Sequence, residues 1–229
     1  MKNELDKMLE IKNVSSTSAD LYFYGSIVSS WLGAWDNADQ YPENIRNFLN
    51  GVTGKTLNIY INSPGGAVFA AMAIVNMLRR HVGRKICHVD GVAASSASVI
   101  ALCGDELIMP RNTFLMIHPA SAYAGGNSGE LRKYAEILES CDNAILSVYE
   151  QALKQEVSID AVKELYSAET WLSAEEAAKY FNITVAEAIA EPAAVYQGPY
   201  LDHAPQSLRN AVGLALERER IRMLDLKKI

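Results

Sequence analysis

Apolar and polar positions alternate along the chain in short stretches that switch between a strand period and a helix period. Leu21-Tyr-Phe-Tyr-Gly-Ser-Ile-Val28 is rich in aromatic and β-branched residues and predicts a strand. Glu43 to Leu49 follows Pro42, whose fixed φ suits a first helical turn, and predicts a short helix. Leu57-Asn-Ile-Tyr-Ile-Asn62 predicts a second strand, stopped by the turn residues Ser63-Pro-Gly-Gly66. Val68, Ala71, Met72, Val75 and Leu78 then recur at helical spacing up to Arg80. Lys85 to Val89 predicts a third strand, Ala94 to Cys103 a helix of small residues, and Asp105–Met109 and Thr113–Ile117 two further strands. Strands and helices that succeed one another in this way predict an α/β domain with a largely parallel sheet.

The strongest helical signal spans Asn127 to Leu153. Asn127 and Glu130 form a capping-box pattern at its start. Leu131, Tyr134, Leu138, Cys141, Ile145, Val148 and Ala152 then step by threes and fours, the pattern of a seam on another helix or of an ordinary core helix. Ser158 opens a helix to Tyr166, and Ser173-Ala-Glu-Glu176 is a second capping box, for a helix to about Tyr180. After Glu191 the pattern is lost. Pro192, Pro199 and Pro205 punctuate an irregular stretch, and a charged helix is expected from Ser207 towards Ile229. The expected organisation is therefore a domain over residues 1–190, with its core at about 20–190, followed by a linker and accessory helix over 191–229.

Composition narrows the function classes. With 229 residues, 49% of them hydrophobic, the chain can build a sizeable core. The net charge of −6 disfavours nonspecific binding to nucleic acid or an anionic membrane. Residues 205–229 carry a net charge of +3, leaving −9 on the rest. No apolar run approaches the roughly 20 residues that cross a bilayer, and Met1–Asn13 lacks the apolar stretch of a secretion signal. Cys87, Cys103 and Cys141 are odd in number and widely spaced, which predicts buried thiols in a reducing, cytoplasmic setting and no metal site.

Three segments carry candidate chemistry. In Gly91-Val-Ala-Ala-Ser95-Ser96 a serine stands where a strand opens into a helix, near free backbone N–H groups and the positive end of the helix dipole. A tightly packed helix start with serine caps reads the same way. His118 ends the apolar strand Thr113-Phe-Leu-Met-Ile117; a lone histidine there is commonly structural, yet it is the natural base if a serine needs one. Asn62-Ser-Pro-Gly-Gly66 lets backbone N–H groups point at a ligand, or serves as a plain strand-to-helix turn.

Together, Ile61–Gly66, Gly91–Ser95 and Met116–His118 resemble the INSPGG, G-x-A-A-S and M-I-H motifs of the proteolytic subunit of Clp protease (ClpP), in the same order. The resemblance covers roughly residues 20 to 190. It implies a spiral of β–β–α units like that of ClpP and the crotonases, with residues 127–153 as a protruding handle helix. It further implies Ser95 as nucleophile, His118 as base, and the backbone N–H groups of Gly66 and Ser96 as oxyanion hole. The family's third member is an acid just before a segment like Trp171-Leu-Ser-Ala-Glu-Glu-Ala177; Glu169 stands there in place of aspartate, with Glu164 and Asp160 as fallbacks.

The resemblance implies protein or peptide substrates, no cofactor, and self-association into rings, heptameric or double. The wording around Glu169, the Val89-Asp-Gly-Val-Ala-Ala-Ser95 segment and the basic tail resemble the head-maturation proteases of tailed phages and prophages. That subgroup implies scaffold, capsid or portal protein as substrate, in a bacterial host cytoplasm. The alternatives are a general Clp proteolytic subunit working with an unfoldase, a non-catalytic ring subunit and, more remotely, a crotonase-like acyl-CoA enzyme. A serine–lysine pair is disfavoured, because Lys85 lies at the far end of the strand that precedes Ser95.

Overall fold

The computed structural model describes residues 14–36, 38–188, 203–206 and 208–210. Its centre is a seven-stranded sheet in which β1 (Ser18–Phe23), β2 (Thr56–Ser63), β3 (Lys85–Ala94), β4 (Glu106–Pro110) and β7 (Thr184–Ala186) lie side by side in that order, all parallel. The connections carry α1 (Pro42–Gly51), α2 (Val68–Arg80) and α3 (Ser96–Ala101). This is the expected α/β architecture. Ile59, Ile61, Leu57, Ile74, Leu78 and Ile100 are fully buried between sheet and helices. Each such side chain is worth about 1.5–3 kcal/mol relative to exposure.

β3 changes partners along its length. Ile86–His88 pair with Glu106–Ile108 of β4, whereas Val92–Ala94 pair in parallel with Phe114–Met116 of β5 (Phe114–Ile117). β5 in turn pairs antiparallel with β6 (Thr170–Ser173). Residues 85–90 alternate buried and half-buried, as expected of a strand with one wetter face, but 91–94 are buried throughout. Ala93 belongs to the main core, while Val92, Ala94 and Met116 pack with Ala204 and Leu208 of the C-terminal segment. Ala204 and Leu208 are the two residues of that segment, read from the sequence as a linker and accessory helix, that are described in this cluster. The remainder of the expected linker and charged helix, and Met1–Asn13, lie outside the described residues.

Other boundaries differ for local reasons. The first strand spans Ser18–Phe23 and stops before Gly25, after which Ile27 makes single bridges to Gln40 and Gly66. The helix opened by Ser173 has its capping box but runs only over α6 (Ala174–Ala177). The longest helix, α4 (Ser128–Ala152), has the expected box, with Asn127 accepting from the N–H groups of Gly129 and Glu130. Only its second half is buried, through Cys141, Ile145, Val148 and Tyr149; Leu131, Tyr134 and Ile137 on the first half are 45%, 45% and 49% exposed. α5 (Ile159–Ser167) follows and leads into β6. Among the described residues no helix is long and apolar enough to cross a membrane, and no cluster of three or more potential ligands could hold a metal. All three cysteines are buried free thiols.

Candidate active site

Because β3 and β5 run in parallel, they deliver their last residues to the same edge of the sheet. Ser95 N–H donates to the Met116 carbonyl at 2.9 Å, which locks the end of β3 beside the end of β5. One residue beyond β5, the His118 ring lies with Nε2 2.7 Å from Ser95 Oγ. A pocket of about 280 Å³ opens over this pair. Pro64, Gly65, Gly66, Val68, Ile145 and Tyr149 are among the residues that line it.

The backbone at Ser95 is strained. Its φ of 54° and ψ of −128° lie where side-chain-bearing residues are seldom found and cost about 1–3 kcal/mol. The turn swings Oγ out of the strand direction towards the imidazole. Gly65 accommodates it from the other side: a Cβ there would stand 2.6 Å from the Ala94 oxygen and 2.8 Å from Ser95 Cβ. At Gly66 the bridge to Ile27 uses the Gly65 oxygen and the Ala67 N–H, so the Gly66 N–H takes no part in it. Ser96 is the first residue of α3, whose opening N–H groups have no acceptor within the helix.

His118 is 7% exposed. Burial holds its imidazole below the ordinary histidine value of 6.5; the Glu169 carboxylate, the Pro119 main chain and Asp142 offset part of that shift. The ring is therefore neutral at pH 7 and able to take a proton from Ser95. Glu169 sits in the turn between α5 and β6, at a left-handed φ of 52°. Its carboxylate is half-exposed, and Oε2 stands 3.9 Å from His203 Nδ1 of the C-terminal segment. Of the fallback acids, Asp160 is exposed and paired with Lys163 at 2.9 Å, and Glu164 is exposed on α5.

Competing assignments find other uses for their residues. His88 stacks on Tyr60 at 4.9 Å within a row that continues to Tyr22, and His81 contacts the Lys55 carbonyl at 2.7 Å. Lys85, at the opposite end of β3, is bound to Asp105 at 3.0 Å. Three residues close to the site carry no sequence signal: Asp142, which accepts from Ala120 N–H and Tyr166 OH at 2.7 Å each, and the hydrogen-bonded pair Ser98 and Tyr149. Nothing in the spacing of α4 distinguishes Asp142 or Tyr149 from the neighbouring side chains.

The family model for Clp protease matches residues 47–184, more than half of the chain and all of the residues above from Ser63 to Glu169. The chain is 33% identical over 139 residues to the ATP-dependent Clp protease proteolytic subunit of Chaetosphaeridium globosum, covering 58% of this chain and 67% of that protein. It is 30% identical over 152 residues to the protein of the same name from Adiantum capillus-veneris, covering 62% and 75%. With the ATP-dependent Clp protease proteolytic subunit 1 of Protochlamydia amoebophila the identity is 28% over 131 residues, covering 56% of this chain and 63% of the relative. None of these three is named as a head-maturation protease.

Proposed function

This chain belongs to the Clp protease family of serine endopeptidases, and on that premise we propose that it cleaves peptide bonds by acyl transfer through Ser95. The observation that carries this reading is the 2.7 Å contact between Ser95 Oγ and a buried, neutral His118. In the proposed mechanism His118 Nε2 removes the Ser95 proton as Oγ attacks the scissile carbonyl. The N–H groups of Gly66 and Ser96 receive the oxyanion, and Glu169 steadies the imidazolium that forms. The proton then passes from His118 to the leaving amine. A water molecule, deprotonated by the same imidazole, releases the acyl group and restores Ser95.

The wider role we infer is that of a general proteolytic subunit, fed with unfolded polypeptide by an ATP-dependent partner, as the names of its relatives suggest. The narrower role, cleaving scaffold, capsid or portal protein in phage head maturation, rests on the wording of short segments and on the basic tail. The names of the relatives do not favour it. We also propose ring assembly, with the exposed half of α4 as a handle between rings. The spiral of β–β–α units and the division at residue 190 belong to this proposal too.

Labelling with a fluorophosphonate tests the chemistry. Ser95 takes the label, and Ser95→Ala loses both the label and about 10⁶-fold in turnover. A wild-type chain that takes no label and cleaves nothing would return the molecule to the non-catalytic ring subunit or, if it acts on acyl-CoA, to the crotonase-like class; an alanine variant that still cleaves would remove Ser95 as the nucleophile.

A further inference from the structure

The strained turn at Ser95 is braced from a distant part of the chain. The Ser95 carbonyl accepts two bonds from Ser98, one from its N–H at 2.9 Å and one from its Oγ at 2.5 Å. A serine hydroxyl that bonds back to a carbonyl three residues earlier is common at helix starts. Less common is what holds this one: Ser98 Oγ also lies 2.6 Å from the phenol oxygen of Tyr149, 51 residues further along, on the buried half of α4. Ser98 has a single hydroxyl proton and gives it to Ser95, so Tyr149 is the donor in the second bond. Burial pushes the Tyr149 phenol well above its ordinary pKa, so it keeps that proton at any physiological pH.

Both partners are packed in on all sides. Ser98 is fully buried and Tyr149 is 1% exposed. The Tyr149 ring is clamped edge-to-face by Tyr166 at 6.1 Å and Phe181 at 6.0 Å, and Tyr166 is tied through its hydroxyl to Asp142 of α4. A conformation that costs about 1–3 kcal/mol persists only where its surroundings over-determine it. Around Ser95 those surroundings are the bond to Met116, the first turn of α3, and this phenol–hydroxyl–carbonyl chain.

We propose that Ser98 and Tyr149 are positioning residues for the nucleophile: they transmit the rigidity of α4 to the Ser95 main chain and so hold Oγ at His118. The proposal rests on the serine-peptidase reading. Tyr149→Phe deletes one oxygen and keeps the ring, while Ser98→Ala deletes the middle of the relay. In assembled protein, each variant should lose about five- to twentyfold in kcat with KM changed less than twofold. The rate of fluorophosphonate labelling should fall by the same factor as kcat. The double variant should be no slower than the slower single one, because both changes break one chain. The acid limb of the pH profile, which belongs to His118, should stay in place. Folded variants with kcat within twofold of wild type would overturn the proposal, and so would losses that multiply in the double variant or appear in KM alone. A wild-type chain that neither labels nor cleaves would instead remove the peptidase reading, and the proposal with it.

Discussion

At the scale of single residues, the proposed mechanism requires that its base be uncharged. His118 must be neutral to accept the Ser95 proton, and burial places its pKa below 6.5. Protonation disables it, so kcat/KM should be level through neutral pH and fall on acidification, with the midpoint of the limb below pH 6.5. A midpoint above 7 would contradict the assignment. Glu169 opposes the burial effect, so Glu169→Gln should move that limb to lower pH and reduce kcat by up to about 10⁴-fold, well short of the loss in Ser95→Ala. Unaltered kinetics and an unmoved limb would pass the role to Asp142, the other carboxylate that raises the His118 pKa. Ser95 and His118 stood out in the sequence because each stands where a short apolar strand ends, and such strands end where loops and sites begin; Glu169 was marked only by the resemblance to ClpP. Ser98 and Tyr149 carried neither mark. Their bond joins positions 51 apart, and no local pattern records a contact at that distance.

At the scale of elements, legibility followed length and apolar content. β2, α2 and α4 were plain because each carries a clear period over eight or more residues. β6 and β7 are four and three residues long, partly polar, and exist through pairing with β5 and β4, which local propensity does not foresee. β3 was expected to end at Val89. It continues through Asp90 and Gly91 because β5 takes over as neighbour at Val92, and the partner supplies what the small residues lack. The α4 cap offers a test at this scale. Asn127→Ala removes the acceptor for the Gly129 and Glu130 N–H groups and should cost the exposed first turns about 1 kcal/mol. Hydrogen exchange should then rise over residues 128–137 and remain slow around the buried Tyr149. Equal acceleration along the whole helix would mean that α4 opens as one unit.

At the scale of the whole molecule, the two halves of α4 have different environments. Leu131, Tyr134 and Ile137 face solvent, and Ile137 lines a groove with Phe69, itself 72% exposed. Light scattering should find an oligomer. Replacing Leu131, Tyr134 and Ile137 together by serine should shift it towards smaller species. A wild-type monomer at concentrations where it cleaves peptide would refute the ring proposal. The parallel pairing of β3 with β5 carries a different kind of consequence. Ser95 and His118 emerge from adjacent strand ends, and the register of β3 on β5 sets where each leaves the sheet before the turn at Ser95 aims its Oγ. One amino acid inserted into 85–94 or 114–117 would turn every later side chain in that strand to the opposite side. Such an insertion should therefore part Ser95 from His118 and abolish labelling at Ser95, whichever residue is inserted.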